Sequence, residues 1–581
     1  MADVTRRMAN GADLLCRTLE SLGIEHVFGV PGTQNVLLYE AIQRSKLRSV
    51  LATHELAASF MANGYYRASG RVAPLVTIPG PGFTYALTGV AEASQDSVAL
   101  LHIVGKPAAR EGKFYEFQSI DQGSIAATLV KGVLTVDRVD DVPRKTLEAY
   151  DLAVTGEPGP VLMQWSKDAL ADFPTRPVDL PRIAFPERPF PEGSLVDAAA
   201  LLGAARKPIL LVGQGAAASA ERLRELAECI QSPVFTTISG RGILPEDHEL
   251  ALGFDLVRSE VGILNEMIRR SDCVLAFGCK LSSAETGGYL LELPKDRLIR
   301  IEADDEVIQA NYPTDIAILG SIGTVLDWML PAVKNLRKPT GRGWTREEIG
   351  DYKRRLRLVP EKAVPEPVVH GVTPSTAGSL VAALRRILPR NGIVVTDSGL
   401  HQGLVRRHFD VLAPRGLIVP SGFQSMGFGL PAAIGAKLAA PDRPVVVVIG
   451  DGCFAMTGME LLTAVREKIP LTVVVFNDGR LNLIRLQQFA SSGRSESVDI
   501  LNPDFGAFAT AVGAKYAFVD GNAEQVLRSA VESEHVTLVE VAVGDSPAIH
   551  LMRGKSIVRE TVRRSLGPGI VRRIKSWRKG R

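Results

Sequence analysis

The sequence predicts an α/β protein of three doubly wound domains, in which parallel β-sheets carry helices on both faces. Short apolar runs rich in β-branched residues recur along the chain and end in glycine turns, as buried parallel strands do. Segments with helical periodicity alternate with these runs in three successive blocks. The length of 581 residues exceeds what one hydrophobic core usually holds, and the 46% hydrophobic content with 54 glycines is typical of a folded α/β protein.

Two segments with few periodic apolar positions divide the chain. A proline-rich stretch at 173–191 is interpreted as a linker, and a polar stretch at 334–372 joins the second block to the third. We therefore expect four parts along the chain: an N-terminal domain at 5–172, a central Rossmann-like domain at 192–335, a third domain at 370–548 and a basic tail at 553–581.

The net charge of the chain is concentrated in its last residues. Residues 553–581 contain eleven Lys or Arg and one acid, Glu560, so this tail carries +10, whereas the rest of the chain carries −7 and the whole chain +3. An acidic body of this kind is not typical of a nucleic-acid-binding protein.

The five cysteines are scattered, with no pair at the spacing of metal ligands. This pattern favours a reducing compartment over a disulfide framework or a zinc site. There is no run of about 18 apolar residues and no charged-then-apolar leader, so we expect a soluble cytoplasmic protein.

The third block contains the strongest signal for chemistry. Two apolar runs, 445–449 and 471–476, each end in a carboxylate next to glycine, Asp451 and Asp478. The 27 positions between the two acids leave room for one crossover helix, which we place at 459–468, so the strands should be parallel neighbours.

Two carboxylates at one edge of a parallel sheet suit a hard divalent cation, and Gly452 lets backbone N–H groups approach a phosphate. The alternative is that Asp451 and Asp478 are an ordinary pair of strand-end aspartates, which by themselves they are less often than a cation site. The pattern resembles the Mg²⁺–diphosphate motif of thiamine-diphosphate enzymes.

Further motifs in the same chain strengthen this resemblance. They are a strand and turn at 27–32, a polar helix start at 54–58, helical segments at 64–70 and 86–97, a glycine turn at 80–82 and a glycine-rich segment at 421–436. In this order, over roughly residues 10–545, they resemble the acetohydroxyacid synthase and pyruvate oxidase group of thiamine-diphosphate enzymes. The resemblance implies that the N-terminal domain binds the pyrimidine of the cofactor and the third domain binds its diphosphate.

The resemblance also implies roles for individual residues. Glu55 matches the glutamate that hydrogen-bonds N1′ of the aminopyrimidine and so favours the imino tautomer that deprotonates the thiazolium C2; an exposed acid in the first turn of a helix is the alternative. Gln118 matches a glutamine that lines the active site, although a lone Gln is usually a surface residue. The implied cofactor contacts are Val30, Pro31, Gly32, Glu55, Gly82, His401, Gln424, Met426, Gly450, Asp451, Gly452, Cys453 and Asp478.

Within this set, Met426 would lie under the cofactor and force its V-shaped conformer, and the backbone carbonyl of Gln424 would accept from N4′. His401 is open to two interpretations, a diphosphate ligand or a structural histidine. The implied metal ligands are Asp451, Asp478 and the backbone carbonyl of Arg480. The second ligand is usually asparagine, and an aspartate there should strengthen metal binding.

The chain departs from the group at three other places. Gln487 stands where acetohydroxyacid synthases carry a tryptophan, and Arg485 could meet a carboxylate or phosphate, although a solvated helix charge is the commoner case. The central domain lacks an arginine-rich turn, having 278–283 in that place, so FAD is allowed but not favoured and a domain kept for assembly is preferred. The tail could be a lid over the active site, a weak membrane-surface helix or a solvated end.

We therefore expect an enzyme that uses thiamine diphosphate and Mg²⁺ to decarboxylate a pyruvate-like 2-oxo acid and to pass the enamine to an acceptor carbonyl, an acetolactate synthase-like carboligase. The alternatives are pyruvate oxidase-like chemistry, a simple decarboxylase or a non-catalytic cofactor-binding relative. The resemblance implies a homodimer or homotetramer with the active site at the subunit interface.

Overall fold

The computed structural model describes residues 9–106, 117–176, 178, 180, 192–253, 261–336, 343–358, 367–370 and 376–545. These residues form three parallel-sheet α/β domains, which confirms the predicted fold class. The basic tail at 553–581 lies outside the described residues. No helix in the described ranges has both the length and the apolar character needed to cross a bilayer.

The N-terminal domain is built on six parallel strands in the order β2-β1-β3-β4-β6-β5. Its strands are β1 His26–Gly29, β2 Arg48–Leu51, β3 Leu75–Thr77, β4 Leu100–Gly105, β5 Gly132–Val136 and β6 Pro160–Trp165. Its helices are α1 Gly11–Ser21, α2 Val36–Arg44, α3 Glu55–Ser69, α4 Pro81–Gln95, α5 Gln122–Ala126, α6 Val142–Val154 and α7 Lys167–Ala171, with a 3₁₀ turn at Val139–Asp141.

The central domain has five parallel strands in the order β11-β10-β9-β7-β8. They are β7 Pro208–Val212, β8 Val234–Thr236, β9 Cys273–Phe277, β10 Leu298–Glu302 and β11 Ile316–Leu319. The helices are α8 Glu192–Ala204, α9 Ala220–Ile230, α10 Val261–Arg270, α11 Asp305–Gln309, α12 Ile322–Leu336 and α13 Arg346–Leu358, with 3₁₀ turns at Gln214–Ser219 and Ile238–Gly240.

The C-terminal domain has seven strands, of which β12 is antiparallel to β18 and the others are parallel. They are β12 Val368–Val369, β13 Ile393–Thr396, β14 Leu417–Ile418, β15 Val445–Gly450, β16 Thr472–Asn477, β17 Lys515–Phe518 and β18 Thr537–Gly544. Its helices are α14 Ala377–Ile387, α15 Leu400–His408, α16 Gly429–Ala439, α17 Asp451–Thr457, α18 Leu461–Arg466, α19 Asn482–Ser492, α20 Phe505–Val512 and α21 Ala523–Val531, with a 3₁₀ turn at Gly458–Glu460.

The crossover between β15 and β16 corrects one sequence-based expectation. The strands are parallel neighbours as predicted, with Val446 opposite Thr472. The helix, however, begins at Asp451 immediately after the strand, and a 3₁₀ turn separates α17 from α18. The prediction of one helix at 459–468 was wrong. An acid in the first turn stabilises the start of a helix, so the acid that marks the end of the strand also begins the helix.

The N-terminal and C-terminal sheets share one hydrophobic core, which contains apolar residues from α3 and α16. These helices approach closely at two glycines. A Cβ at Gly64 would lie 2.0 Å from the carbonyl oxygen of Ala432, and a Cβ at Gly435 would lie 1.9 Å from that of Met61. Only glycine fits at either position, so the backbones of the two helices are in direct contact.

Candidate active site

Asp451 lies at the carboxyl edge of the C-terminal sheet, where it is the first residue of α17 and almost fully buried. Its Oδ2 accepts hydrogen bonds from the N–H of Gly479 (2.7 Å) and from Nδ2 of Asn502 (2.7 Å). Its Oδ1 accepts from the N–H of Gly452 at 2.8 Å. These donors hold the carboxylate in one orientation, facing the end of β16.

Asp478 follows β16 and lies beside Asp451. Its backbone N–H donates to Oδ2 of Asp451 at 3.2 Å, and its own carboxylate accepts from Nδ2 of Asn482 (2.6 Å) and the N–H of Arg480 (3.0 Å). Burial, and next the negative charge of Asp451, raise the pKa of Asp478 to about 7. Two carboxylates in this environment repel each other, and a divalent cation between them would relieve the repulsion.

The described residues contain no group of three or more His, Cys, Asp or Glu side chains able to hold a metal ion. Two carboxylates and a backbone carbonyl therefore fit a cation only if a ligand such as a diphosphate supplies further oxygens, as Mg²⁺ commonly requires.

A cavity of about 120 Å³ opens next to this acid pair. Residues that line it and that the sequence predicted for the cofactor are His401, Met426, Gly450, Asp451, Gly452, Cys453, Asp478 and Arg480. The structure thus brings all of the C-terminal candidates except Gln424 to one cavity.

His401 lies in the first turn of α15 and is buried, with an Nε2 atom that has no hydrogen-bond partner among the described residues. Burial lowers the pKa of His401 to about 4, so the imidazole is neutral at physiological pH. An unpartnered buried nitrogen beside the cavity indicates a ligand there rather than a structural histidine with satisfied hydrogen bonds.

The loop 421–428 carries Gln424 and Met426 into different surroundings. Met426 lines the cavity next to Asp451, whereas Gln424 is exposed and borders a larger cleft. The C-terminal end of the loop is fixed by Asp397, whose carboxylate accepts from the N–H groups of Gly427 (3.1 Å) and Gly429 (2.7 Å). Complete burial raises the pKa of Asp397 to about 6.

Glu55 is the first residue of α3 and is 9% exposed. The interpretation of Glu55 as an exposed helix-start residue is therefore wrong, because the side chain points into the protein. Its Oε1 would lie 2.9 Å from a Cβ at Gly82, so the carboxylate is next to the first turn of α4. Its carboxylate makes no hydrogen bond with other residues in the described parts of the chain.

The other N-terminal candidates lie in two turns, and the turn that contains Gly82 is next to Glu55. Val30, Pro31 and Gly32 form the turn after β1, which Asn35 closes by accepting from the N–H of Gly32 at 2.8 Å. Both Gly32 and Gly82 pack against Ile78, where an added Cβ would lie 2.7 Å from its side chain.

Gln118 lies next to the start of α4. A Cβ at Gly80 would be 3.2 Å from the Cβ of Gln118, and Gln118 has a φ of 61°. Its Oε1 is buried and has no partner in the residues that the structure describes. A left-handed backbone and an orphaned acceptor are unusual for a surface glutamine.

Arg485 does not lie in solvent, which corrects the commoner of the two interpretations of this residue. It is buried, its Nη1 donates to Asp545 at 3.0 Å, and its Nε donates to Oδ1 of Asn482 at 2.8 Å. The carboxylate that Arg485 meets belongs to this chain. Gln487 is exposed on the same helix.

Asn482 and Asn502 are site residues that the sequence analysis missed. Asn482 is the first residue of α19 and lies only four positions after Asp478, so its closeness in the sequence was a usable signal. Asn502 reaches Asp451 from a distant loop, and no local pattern could have placed it there.

A second cleft, of about 1000 Å³, opens between the three domains. Glu302 and Asp304 lie at the carboxyl end of β10, where acids suit ribose hydroxyls. The described cations in the lining are already engaged: Lys280 pairs with Glu157, and Arg415 donates to backbone carbonyls. The cleft is large enough for a nucleotide but offers few free positive charges for phosphates.

Three family models match the chain in order. The N-terminal TPP binding domain of thiamine pyrophosphate enzymes matches residues 9–125, the central domain 195–329 and the C-terminal TPP binding domain 397–541. The chain therefore belongs to the thiamine pyrophosphate enzyme family, and the three matched segments correspond to its three sheets.

Individual similar proteins narrow the comparison to one group within this family. The chain is 31% identical to the acetolactate synthase isozyme 1 large subunit of Escherichia coli K12, over 83% of this chain and 84% of the relative. It is 32% identical to the acetolactate synthase large subunit of Lactococcus lactis IL1403, over 92% and 93%. The acetolactate synthase large subunit of Corynebacterium glutamicum is 30% identical, over 96% and 90%.

Proposed function

We propose that this enzyme decarboxylates a 2-oxo acid of the pyruvate type and joins the remaining fragment to an acceptor carbonyl, as a thiamine-diphosphate-dependent and Mg²⁺-dependent carboligase. The observation that carries the proposal is the pair Asp451 and Asp478 beside a cavity lined by Met426, in a chain similar to acetolactate synthases over most of its length.

The C-terminal residues bind the charged end of the cofactor. Asp451, Asp478 and the backbone carbonyl of Arg480 would hold Mg²⁺, which would link the chain to the diphosphate and offset its negative charge. The N–H groups of Gly452 and Cys453 belong to the first turn of α17, where the helix dipole favours an anion. The unpartnered Nε2 of His401 would donate to a diphosphate oxygen only in the protonated imidazolium, which a bound anion favours.

The N-terminal residues bind and activate the pyrimidine. Glu55 shares a proton with N1′ of the aminopyrimidine, while Gly82 leaves space beside the carboxylate and Gln118 offers an amide for the substrate or cofactor. Thiamine diphosphate, when bound, supplies the carbanion chemistry that amino-acid side chains lack. The chain's own contribution is to orient the cofactor, hold the proton at Glu55 and exclude water.

We infer that two copies of the chain complete each site. The described residues that line the Asp451 cavity all lie between 367 and 543, so Glu55 of the same chain does not reach it. Several large apolar side chains are exposed, and a partner subunit would cover them: Tyr85, whose ring packs on His54 next to Glu55, and Met456, Met459 and Leu462 of the C-terminal domain. A homodimer or homotetramer accounts for both observations.

The test is to incubate the purified full-length protein with thiamine diphosphate, Mg²⁺ and a panel of 2-oxo acids, with and without aldehyde or 2-oxo acid acceptors. Release of CO₂ and the mass of the product are followed. A coupled product that depends on the acceptor supports the carboligase, free aldehyde points to a simple decarboxylase, and absence of turnover despite cofactor binding contradicts the proposal.

The cleft between the domains favours one second candidate, pyruvate oxidase-like chemistry, which needs a flavin. The absorbance spectrum of the purified protein separates the two. FAD bound in the cleft together with oxygen-dependent turnover of pyruvate would favour the oxidase. For the reasons of charge given above, we expect FAD not to be required.

A further inference from the structure

Helix α4 presents two buried acids, Glu92 and Asp96, to the loop 421–428 of the C-terminal domain. They are one helical turn apart and therefore lie on the same face of α4. Both residues are nearly inaccessible to solvent. Neither is assigned a role in cofactor binding by the arguments above.

Asp96 holds the first part of this loop. Its Oδ1 accepts from Oγ of Ser421 (2.5 Å) and from the N–H of Gly422 (2.8 Å). Its Oδ2 accepts from the N–H of Ser421 (3.0 Å) and from Nη1 of the buried Arg67 (3.0 Å). Four donors thus converge on one carboxylate, and Arg67 neutralises its charge.

Glu92 holds the next part of the loop. Its Oε2 accepts from the N–H of Ser425 at 2.9 Å, and its Oε1 is buried without a partner in the described residues. Burial, and next the charge of Asp96, raise the pKa of Glu92 to about 7. Burial also acts to raise the pKa of Asp96, but the Arg67 guanidinium and the Ser421 hydrogen bonds outweigh it and lower that pKa.

Between these two anchors lies Gln424, with a φ of 61°. A residue other than glycine is strained in the left-handed region and persists there only where the surrounding contacts impose it. Gln424 makes no close side-chain hydrogen bond of its own, since its Nε2 lies 3.5 Å from the carbonyl oxygen of Ser421. The anchors on either side therefore account for the conformation.

We propose that Glu92 and Asp96 are positioning residues of the reaction: they fix the strained loop so that the Gln424 carbonyl and the Met426 side chain meet the cofactor. The inference rests on the proposed function, because it assigns a purpose to the shape of the loop that holds these two residues. The geometry of the cofactor site would then depend on a contact within one chain, between Glu92 and Asp96 of the N-terminal domain and the loop 421–428 of the C-terminal domain.

The first test compares Glu92→Met, which removes the acceptor for Ser425, with Glu92→Gln, which keeps one. We expect Glu92→Met to lower kcat by about tenfold or more, because small misplacements are costly, with a change of about threefold or less in the Kd of thiamine diphosphate. The near-ultraviolet circular dichroism of the bound cofactor should change. Glu92→Gln should restore both kcat and the spectrum toward wild type.

The matched control is Glu246→Met. Glu246 is another buried acid that accepts a backbone N–H of the C-terminal domain, that of Val411 at 2.8 Å, but outside the loop 421–428. Its loss should lower Tm at least as much as Glu92→Met, because it leaves Arg241 buried beside it, yet the cofactor spectrum should not change. Equal spectral changes in both variants, or an unchanged kcat in Glu92→Met, would overturn the proposal.

A second measurement needs no turnover and remains informative if Glu92→Met is unstable. Glycine tolerates a positive φ, so Gln424→Gly removes the strain that the anchors hold. The loss of Tm caused by Glu92→Gln or Asp96→Asn should then differ between the wild-type and Gln424→Gly backgrounds, a coupling that a double-mutant cycle detects. Strict additivity would refute the role of the anchors. Absence of thiamine diphosphate binding by the wild-type protein would instead refute the proposed function.

Discussion

The N-terminal and C-terminal sheets each place a carboxylate at the start of a helix, yet the surroundings of the two carboxylates differ. Asp451 accepts hydrogen bonds from three backbone N–H groups and one side-chain amide, and it faces a second acid, Asp478. Glu55 is buried beside Gly82 and makes no hydrogen bond within the described residues.

This difference shows how similar local geometry serves two kinds of chemistry. Backbone donors fix the orientation of a carboxylate and so suit it to hold a cation, whereas a carboxylate without such donors is free to hydrogen-bond a ligand. The following predictions test this division, in order of decreasing expected effect.

Glu55→Gln should reduce turnover about hundredfold or more, because the amide cannot share a proton with the cofactor. Cofactor binding, measured by titration calorimetry, should change little. The control is Glu534→Gln, at an exposed position before β18, which should leave both quantities unchanged. If Glu55→Gln turned over at the wild-type rate, Glu55 would have no part in proton transfer.

Asp451→Asn should weaken Mg²⁺-dependent cofactor binding about tenfold or more, a loss of about 1.4 kcal/mol or greater. The substitution removes the negative charge of a carboxylate that four hydrogen-bond donors hold in one orientation. Binding is measured by calorimetry at several Mg²⁺ concentrations, with the exposed Asp442→Asn as control. Equal binding by Asp451→Asn and wild type would exclude a metal role for this residue.

Asp478→Asn should have a smaller effect. The amide still offers an oxygen to the metal but removes one negative charge, so the Kd of Mg²⁺ should rise by about fivefold while kcat is largely retained. The same calorimetric titration checks it. Tighter metal binding in the variant would mean that repulsion between the two aspartates outweighs their attraction for the cation.

Glu92 differs from both Asp451 and Glu55, because its buried carboxyl group should keep its proton to a higher pH. The pH dependence of stability should show this difference. The pKa of Glu92 is raised to about 7 from 4.5, so between these pH values the folded protein retains a proton that the unfolded chain has lost. The contribution of Glu92 to stability is therefore largest below pH 4.5 and falls as the pH rises to about 7.

Glu92→Gln removes this titration, so its Tm relative to wild type should rise between pH 4.5 and pH 7.5, by the equivalent of about 3 kcal/mol. Thermal melts of both proteins across this range measure it, and Glu534→Gln should give a constant difference. A constant difference for Glu92→Gln as well would show that folding does not raise the pKa of Glu92.

Structural features that follow from periodic patterns and short motifs could be predicted from the sequence, but contacts between distant segments could not. The alternation of strands and helices predicted three parallel sheets, and the two strand-end acids predicted the pairing of β15 with β16. The early start of α17 was missed because an acid after glycine fits both a strand end and a helix start.

The remaining features depend on tertiary contacts. Arg485 shares the buried face of α19 with Leu486 and Phe489, but the acid that pairs with it, Asp545, lies 60 positions away in the chain. Asn502 contacts Asp451 from 51 positions along the chain. Glu92 and Asp96 were visible as part of a motif, but the loop that they hold comes from more than 300 positions away.

The two glycine contacts between α3 and α16 have a mechanical consequence. Where side chains lie between two helices, they can change rotamer and so absorb small displacements. Where the two backbones are in direct contact, no side chain is present to adjust. Glu55 is at the start of α3, and Met426 precedes the start of α16 by three positions. A displacement at Glu55 is thus transmitted to the segment that carries Met426, and in a dimer with shared sites each subunit would link one active centre rigidly to the other.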